Sequence, residues 1–111
     1  MSADKAGGLV TLCRWLGLPE PVREFQFASQ RKWRFDLCWP GAMVAAEVDG
    51  GVWTGGRHTR GKGYEEDCEK LSMAAAMGWR VIRCTPGQVE DGRAGAWVKA
   101  ALEYERMERV G

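Results

Sequence analysis

The chain has 111 residues, enough for one hydrophobic core and not for two. Apolar residues make up 45% and charged residues 28%, which excludes wholesale disorder, and no apolar run approaches the ~20 residues of a membrane-spanning helix. Sixteen Lys and Arg against fifteen Asp and Glu leave a net charge of +1, which excludes a generally basic surface, so any contact with nucleic acid must come from local clustering.

The opening Met1–Lys5 has no basic segment leading into an apolar stretch, and a cytoplasmic protein is expected. Leu9, Leu12, Cys13 and Leu16 recur at helical spacing, with Gly17 as a C-terminal stop. Pro19 and Pro21 keep the chain from continuing that helix. Three strand-like runs follow: Arg23–Phe27, Trp33–Trp39 and Met43–Asp49. Ser29–Lys32 and Pro40–Ala42 supply the turns, so the three read as an antiparallel meander. Asp49 to Gly63 is a glycine-rich loop, with six glycines in fifteen residues. Tyr64, Cys68, Leu71, Ala75 and Gly78 then mark the stripe of a second helix, whose first turn carries Glu65, Glu66 and Asp67. Arg80–Cys84 is a short strand ended by Pro86, and Ala94, Trp97, Val98, Ala101 and Tyr104 mark a last helix. The expected architecture is one α/β domain over residues 1–111, with a mixed sheet flanked by helices. The cysteines Cys13, Cys38, Cys68 and Cys84 lack CxxC spacing and read as four small buried hydrophobes.

Side chains alternate faces along a strand. A turn at Gly41–Ala42 pairs position i with 83 − i and sets Asp36 across from Glu47; a turn centred on Gln30 pairs i with 60 − i and sets Glu24 across from Asp36. Cβ atoms of opposed residues lie about 4.5–5.5 Å apart, and like charges so placed repel. Glu24, Asp36 and Glu47 in a row, with Asp49 alongside, therefore suggest hard oxygen ligands for Mg²⁺, Mn²⁺ or Ca²⁺. The competing reading is a solvated strand face neutralised by Arg23, Lys32 and Arg34.

The αβββαβ order, with Asp36 on the second strand and Glu47-Val48-Asp49 on the third, resembles the PD-(D/E)XK nuclease superfamily. The likeness is above all to small phage and bacterial endonucleases related to the very-short-patch-repair endonuclease. It spans roughly Glu24 to Pro86 and includes His58, Asp67 and the run Gly78-Trp79-Arg80-Val81-Ile82-Arg83. The resemblance implies a restriction-endonuclease-like core and a Mg²⁺- or Mn²⁺-dependent DNA endonuclease. Asp36 and Glu47 would be its metal ligands, with the Val48 carbonyl a third. The superfamily places Lys two positions after that Glu, where this chain has Asp49. The basic group must then come either from Lys70 on the following helix or from His58 or Lys62 on the loop; for Lys70 the competing reading is a surface i,i+4 pair with Glu66.

Gly56–Gly63 matches GxxxxGK but has Gly63 where a P-loop needs Ser or Thr. It reads instead as a basic loop, with Arg57, His58, Arg60 and Lys62 for the DNA backbone and Trp53 for stacking or wedging. Arg31, Lys32 and Arg34 would extend that surface. The expected partner is duplex, nicked or branched DNA, with no membrane role. The alternative is a non-catalytic or partner-dependent DNA-binding module on the same fold, either a homodimer or bound to another protein.

Overall fold

A computed structural model describes residues 4–50 and 62–110, with side chains described over 4–50 and 63–104. The order is α1 (Gly7–Trp15), β1 (Val22–Gln26), β2 (Arg34–Trp39), a 3₁₀ turn (Pro40–Ala42), β3 (Val44–Val48), α2 (Lys62–Ala76), β4 (Arg80–Cys84), α3 (Pro86–Glu90) and α4 (Arg93–Val110). The four strands form one sheet in the order β1-β2-β3-β4. The first three are antiparallel, and β4 lies parallel to β3. The expected α/β class, the meander and the mixed sheet are all present; α3, which is capped by Thr85 and Gln88, was not expected beyond the strand-ending Pro86.

Both expected registers hold. Arg23 pairs with Leu37 and Phe25 with Phe35, while Leu37 pairs with Ala46 and Trp39 with Val44. The β2–β3 turn is wider than two residues, with Met43 taking φ 57°, yet the same pairing results. Gly17 and Gly78 end their helices as expected. Each has a positive φ, and the residue after it donates its N–H to the carbonyl five residues back, Leu18 to Cys13 O and Trp79 to Ala74 O.

The faces differ from strict alternation at one point. Leu37, Trp39, Val44, Ala46 and Val48 pack on one side of the sheet with Leu9, Val10 and Cys13 of α1 and Ala94, Val98 and Leu102 of α4. Cys38 and Ala45 pack on the other side with Ala74 of α2 and Trp79. Phe35 joins this second side, although it is two residues from Leu37. Strict alternation would place Phe35 and Leu37 on one face. The cause lies across the strand pair, where Glu24 takes a left-handed φ of 53° between Arg23 and Phe25. Both strands turn over at the level of Glu24 and Asp36. Phe35 then stacks on Phe27 with centroids 4.2 Å apart and meets the edge of Trp79.

Two helix faces also differ from expectation. The inward side of α2 is Asp67, Lys70, Leu71 and Ala74, while Tyr64, Cys68 and Ala75 are exposed. On α4 the buried line is Ala94, Val98 and Leu102, and Trp97 and Tyr104 are exposed. Cys68 therefore departs from the buried-cysteine reading, which holds for Cys13, Cys38 and Cys84. Helix α1 crosses α4 closely at Gly95. A Cβ there would come within 2.7 Å of Leu12 Cδ2 and 2.8 Å of Leu12 Cγ. Among the described residues no helix is long and apolar enough to cross a membrane.

Two measurements check this packing. Gly95→Ala gains up to about 1 kcal/mol of helix propensity but forces Leu12 from its seat, which costs about 1–3 kcal/mol. Urea unfolding should show a net loss on the order of 1 kcal/mol, and a net gain would contradict the close crossing. Burial pushes the Cys13 and Cys38 thiols up to about 11, and burial together with the Asp36 charge raises Cys84. At pH 8 a thiol reagent should consume one equivalent in the native protein, at Cys68, and four after denaturation.

Candidate functional site

The carbonyl end of β3 is where acidic side chains from separate elements meet. Glu47 and Arg83 are register partners on the parallel pair β3–β4, so both side chains project on the α2 side of the sheet. The fold explains why α2 supplies their partners. Ala45 and Ala74 share one core cluster, which sets α2 against β3. Two residues on from Ala45 is Glu47, and one turn before Ala74 is Lys70. Lys70 Nζ donates to Glu47 Oε2, and the two side chains are only 16% and 10% exposed. Lys70 thus makes an ion pair across the helix–sheet seam, as the helix-borne alternative expected, and not the competing i,i+4 pair with Glu66.

Asp36 enters from the strand next door. Because β2 turns over at this residue, its carboxylate reaches the end of β3 and accepts the Val48 N–H, 2.9 Å from Oδ2. Lys5 approaches it from the turn before α1, 3.4 Å away. The neighbouring Asp4 is anchored by an ion pair to Arg23 of β1, which holds its carboxyl below the usual range. Arg23 pairs in register with Leu37, the residue after Asp36, so this anchor brings Lys5 to the site.

Asp49 continues the chain past β3, with its N–H donating to Cys84 O at 2.7 Å. Its carboxylate accepts from Arg83 at 2.9 Å, and the same guanidinium contacts Asp67 of α2 at 2.6 Å. Burial would lower the Arg83 pKa, but the hydrogen bond and charge of Asp67, reinforced by Asp49, outweigh it and hold Arg83 above its usual range.

Together Lys5, Asp36, Glu47, Val48, Asp49, Asp67, Lys70 and Arg83 line a cleft of about 210 Å³. It contains four of the expected residues, Asp36, Glu47, Val48 and Asp49, plus Lys70, the helix-borne alternative for the basic group. Glu24 does not belong. It is exposed on β1 and absent from the cleft lining, since its left-handed backbone turns it away from the row. Arg34 is likewise exposed, paired in register with Gln26 outside the cleft. Arg31 is committed elsewhere, to Glu69 of α2 at 3.0 Å and over the Trp33 ring at 3.9 Å. Trp53, Arg57, His58 and Arg60 lie outside the described residues, as does the side chain of Lys62.

Sequence reasoning assigned no role to Lys5, Asp67 or Arg83. Asp67 and Arg83 carried a signal, since both fall within the stretch of family likeness. Lys5 carried none, because 31 residues separate it from Asp36.

Among the described residues no three His, Cys, Asp or Glu side chains are grouped so as to hold a metal ion by themselves. The donors present still suit a hard dication that keeps part of its water shell. One or two carboxylates suffice for Mg²⁺ when a phosphate completes the set, and Asp36, Glu47 and the Val48 carbonyl supply oxygen only. Two ammonium groups already neutralise those two carboxylates. No family model, curated protein or solved structure matches the chain.

The Lys70–Glu47 pair makes a direct prediction. Lys70→Met leaves Glu47 largely buried without its cation and should lower unfolding stability by about 1–3 kcal/mol. Adding Glu47→Gln should restore at least half of that loss, as read in a urea double-mutant cycle. Losses that simply add would show that the two side chains do not interact.

Proposed function

We propose that this protein is a Mg²⁺- or Mn²⁺-dependent DNA endonuclease with a restriction-endonuclease-like core. One observation carries the reading: Asp36 of β2, Glu47 of β3 and Lys70 of α2, which are separate in sequence, line a single cleft. Two carboxylates and one cation are the groups that phosphodiester hydrolysis requires. Asp36 and Glu47, with the Val48 carbonyl, would hold the dication. When bound, that ion lowers the pKa of a water and acts as a Lewis acid on the scissile phosphate.

The chain's own residues do the rest. Val48 N–H fixes the direction of the Asp36 carboxylate. Lys70 orients Glu47 and presents a positive charge where negative charge grows on the phosphate. Arg83 ties down both Asp49 and Asp67 and offsets one of their two charges, so neither carboxylate faces the ion or the substrate bare. Four carboxylates face three cations in the cleft, an excess of one negative charge. A dication reverses that sign, so DNA should bind well only after the metal.

The second reading, a non-catalytic or partner-dependent DNA-binding module, draws on one observation. Asp49 occupies the usual lysine position and is held by Arg83. Incubation with supercoiled, nicked and branched DNA plus Mg²⁺ or Mn²⁺ separates the two. The nuclease reading expects strand cleavage, reduced about a hundredfold or more by Asp36→Asn, Glu47→Gln or Lys70→Met. Retention of DNA with no cleavage in any divalent ion supports the module. Cleavage unaffected by Asp36→Asn and Glu47→Gln overturns the assignment of this cleft.

A further inference from the structure

The two candidate ligands are not bare carboxylates. Each already carries an ammonium group, Lys5 on Asp36 and Lys70 on Glu47. Two single positive charges balance the pair as one dication would. The two lysines are not held alike. Lys70 extends from the middle of α2, is 16% exposed and contacts one oxygen of Glu47. Its place is fixed by the packing of Ala74 against the sheet.

Lys5 belongs to the turn before α1, and its side chain is 49% exposed. It lies 3.4 Å from both Asp36 oxygens, a long and even contact rather than a directed hydrogen bond. A salt bridge of this kind is weak, and its ammonium loses little by returning to water. The Val48 N–H, by contrast, holds Asp36 in place whether or not Lys5 is there. Displacing Lys5 therefore leaves the ligand correctly aimed.

We propose that Lys5 is a displaceable counter-ion of Asp36, competing with the divalent cation for that carboxylate and setting the cation concentration at which the cleft fills. This rests on the metal site proposed above. Lys5 is the cation in contact with Asp36; Arg23 is felt by Asp36 only at a distance, does not line the cleft and is committed to Asp4, and that pair positions Lys5 by tying its turn to β1.

The test is Mn²⁺ binding by calorimetry on the full chain without DNA. Lys5→Met should tighten Mn²⁺ binding on the order of three- to tenfold, from lost competition and lost repulsion of the dication. Lys5→Arg should keep the wild-type affinity. Lys99→Met removes an equal charge from a distant exposed pair with Glu103 on α4 and should change nothing. Asp36→Asn should weaken or abolish Mn²⁺ binding in the wild-type background. With that loss observed, an unchanged affinity in Lys5→Met overturns the Lys5 inference alone. Equal tightening by Lys5→Met and Lys99→Met also overturns it, as a general charge effect. If the wild-type protein shows no saturable Mn²⁺ binding, the metal site and this inference fail together.

Discussion

The arrangement depends on the ion pair between Lys70 and Glu47. Sheet and helix are otherwise joined on this side by apolar contacts around Ala45, Ala74 and Trp79 and by the more exposed pairs Arg83–Asp67 and Arg31–Glu69. Stability alone does not explain a charged pair at the end of that seam. Removing two charges from water costs several kcal/mol each, and the attraction between them only about offsets it. A leucine and a valine would close the seam as well. What the pair does supply is placement: it fixes a carboxylate and an ammonium at one end of the sheet, on the helix face that Ala74 sets against β3. With that setting, Asp67 faces Arg83 one turn earlier, and Leu71 and Ala74 face the strands.

A second constraint is the turnover of the β1–β2 pair. In a regular strand Asp36 would stand between Phe35 and Leu37 on the face opposite to both. Here those two apolar residues go to different sides of the sheet, and Asp36 is left at the crossing point. The left-handed backbone at Glu24 is its counterpart on β1, and such a conformation in a non-glycine residue is tolerated only where the surroundings enforce it. The aromatic stack of Phe27, Phe35 and Trp33 on one side and the Asp4–Arg23 pair on the other do so. The irregularity carries the Asp36 carboxylate to the Val48 N–H instead of leaving it on a flat sheet face.

These two features mark where the sequence was legible. The order of the three meander strands and both of their registers followed from short polar turns and period-two patterning, because a slip of one residue would bury the charged set; the place of β4 beside β3 did not. That Asp36 and Glu47 share a cleft agrees with the register, but the Asp36 carboxylate gets there through the turnover of β2 at that residue. Parity failed at Phe35, since a single left-handed residue on the neighbouring strand leaves no trace in hydrophobic pattern. It failed on α2 for a different reason. A search for an apolar stripe passes over a helix whose inward side begins with Asp67 and Lys70, and it selects the solvent side with Tyr64 and Cys68 instead. Lys5 was invisible because its contact is long-range and depends on Asp4, another surface residue with no periodic signal.

The aspartate at position 49 is accommodated by its neighbours. The family likeness expects a lysine there, two residues after Glu47, and this chain has an aspartate. A lysine at that position would share with Glu47 the α2 side of the sheet. Helix α2 delivers Lys70 to that side from above, and Arg83 on β4 answers the aspartate from the neighbouring strand. The cleft thus sets two carboxylates, Asp36 and Glu47, beside the ammonium of Lys70 without a lysine on β3. Because the Lys70 side chain is fixed by helix packing rather than by strand alternation, the position is less tolerant of length. An arginine or a shorter amine at 70 would change the contact with Glu47 even though the charge is kept.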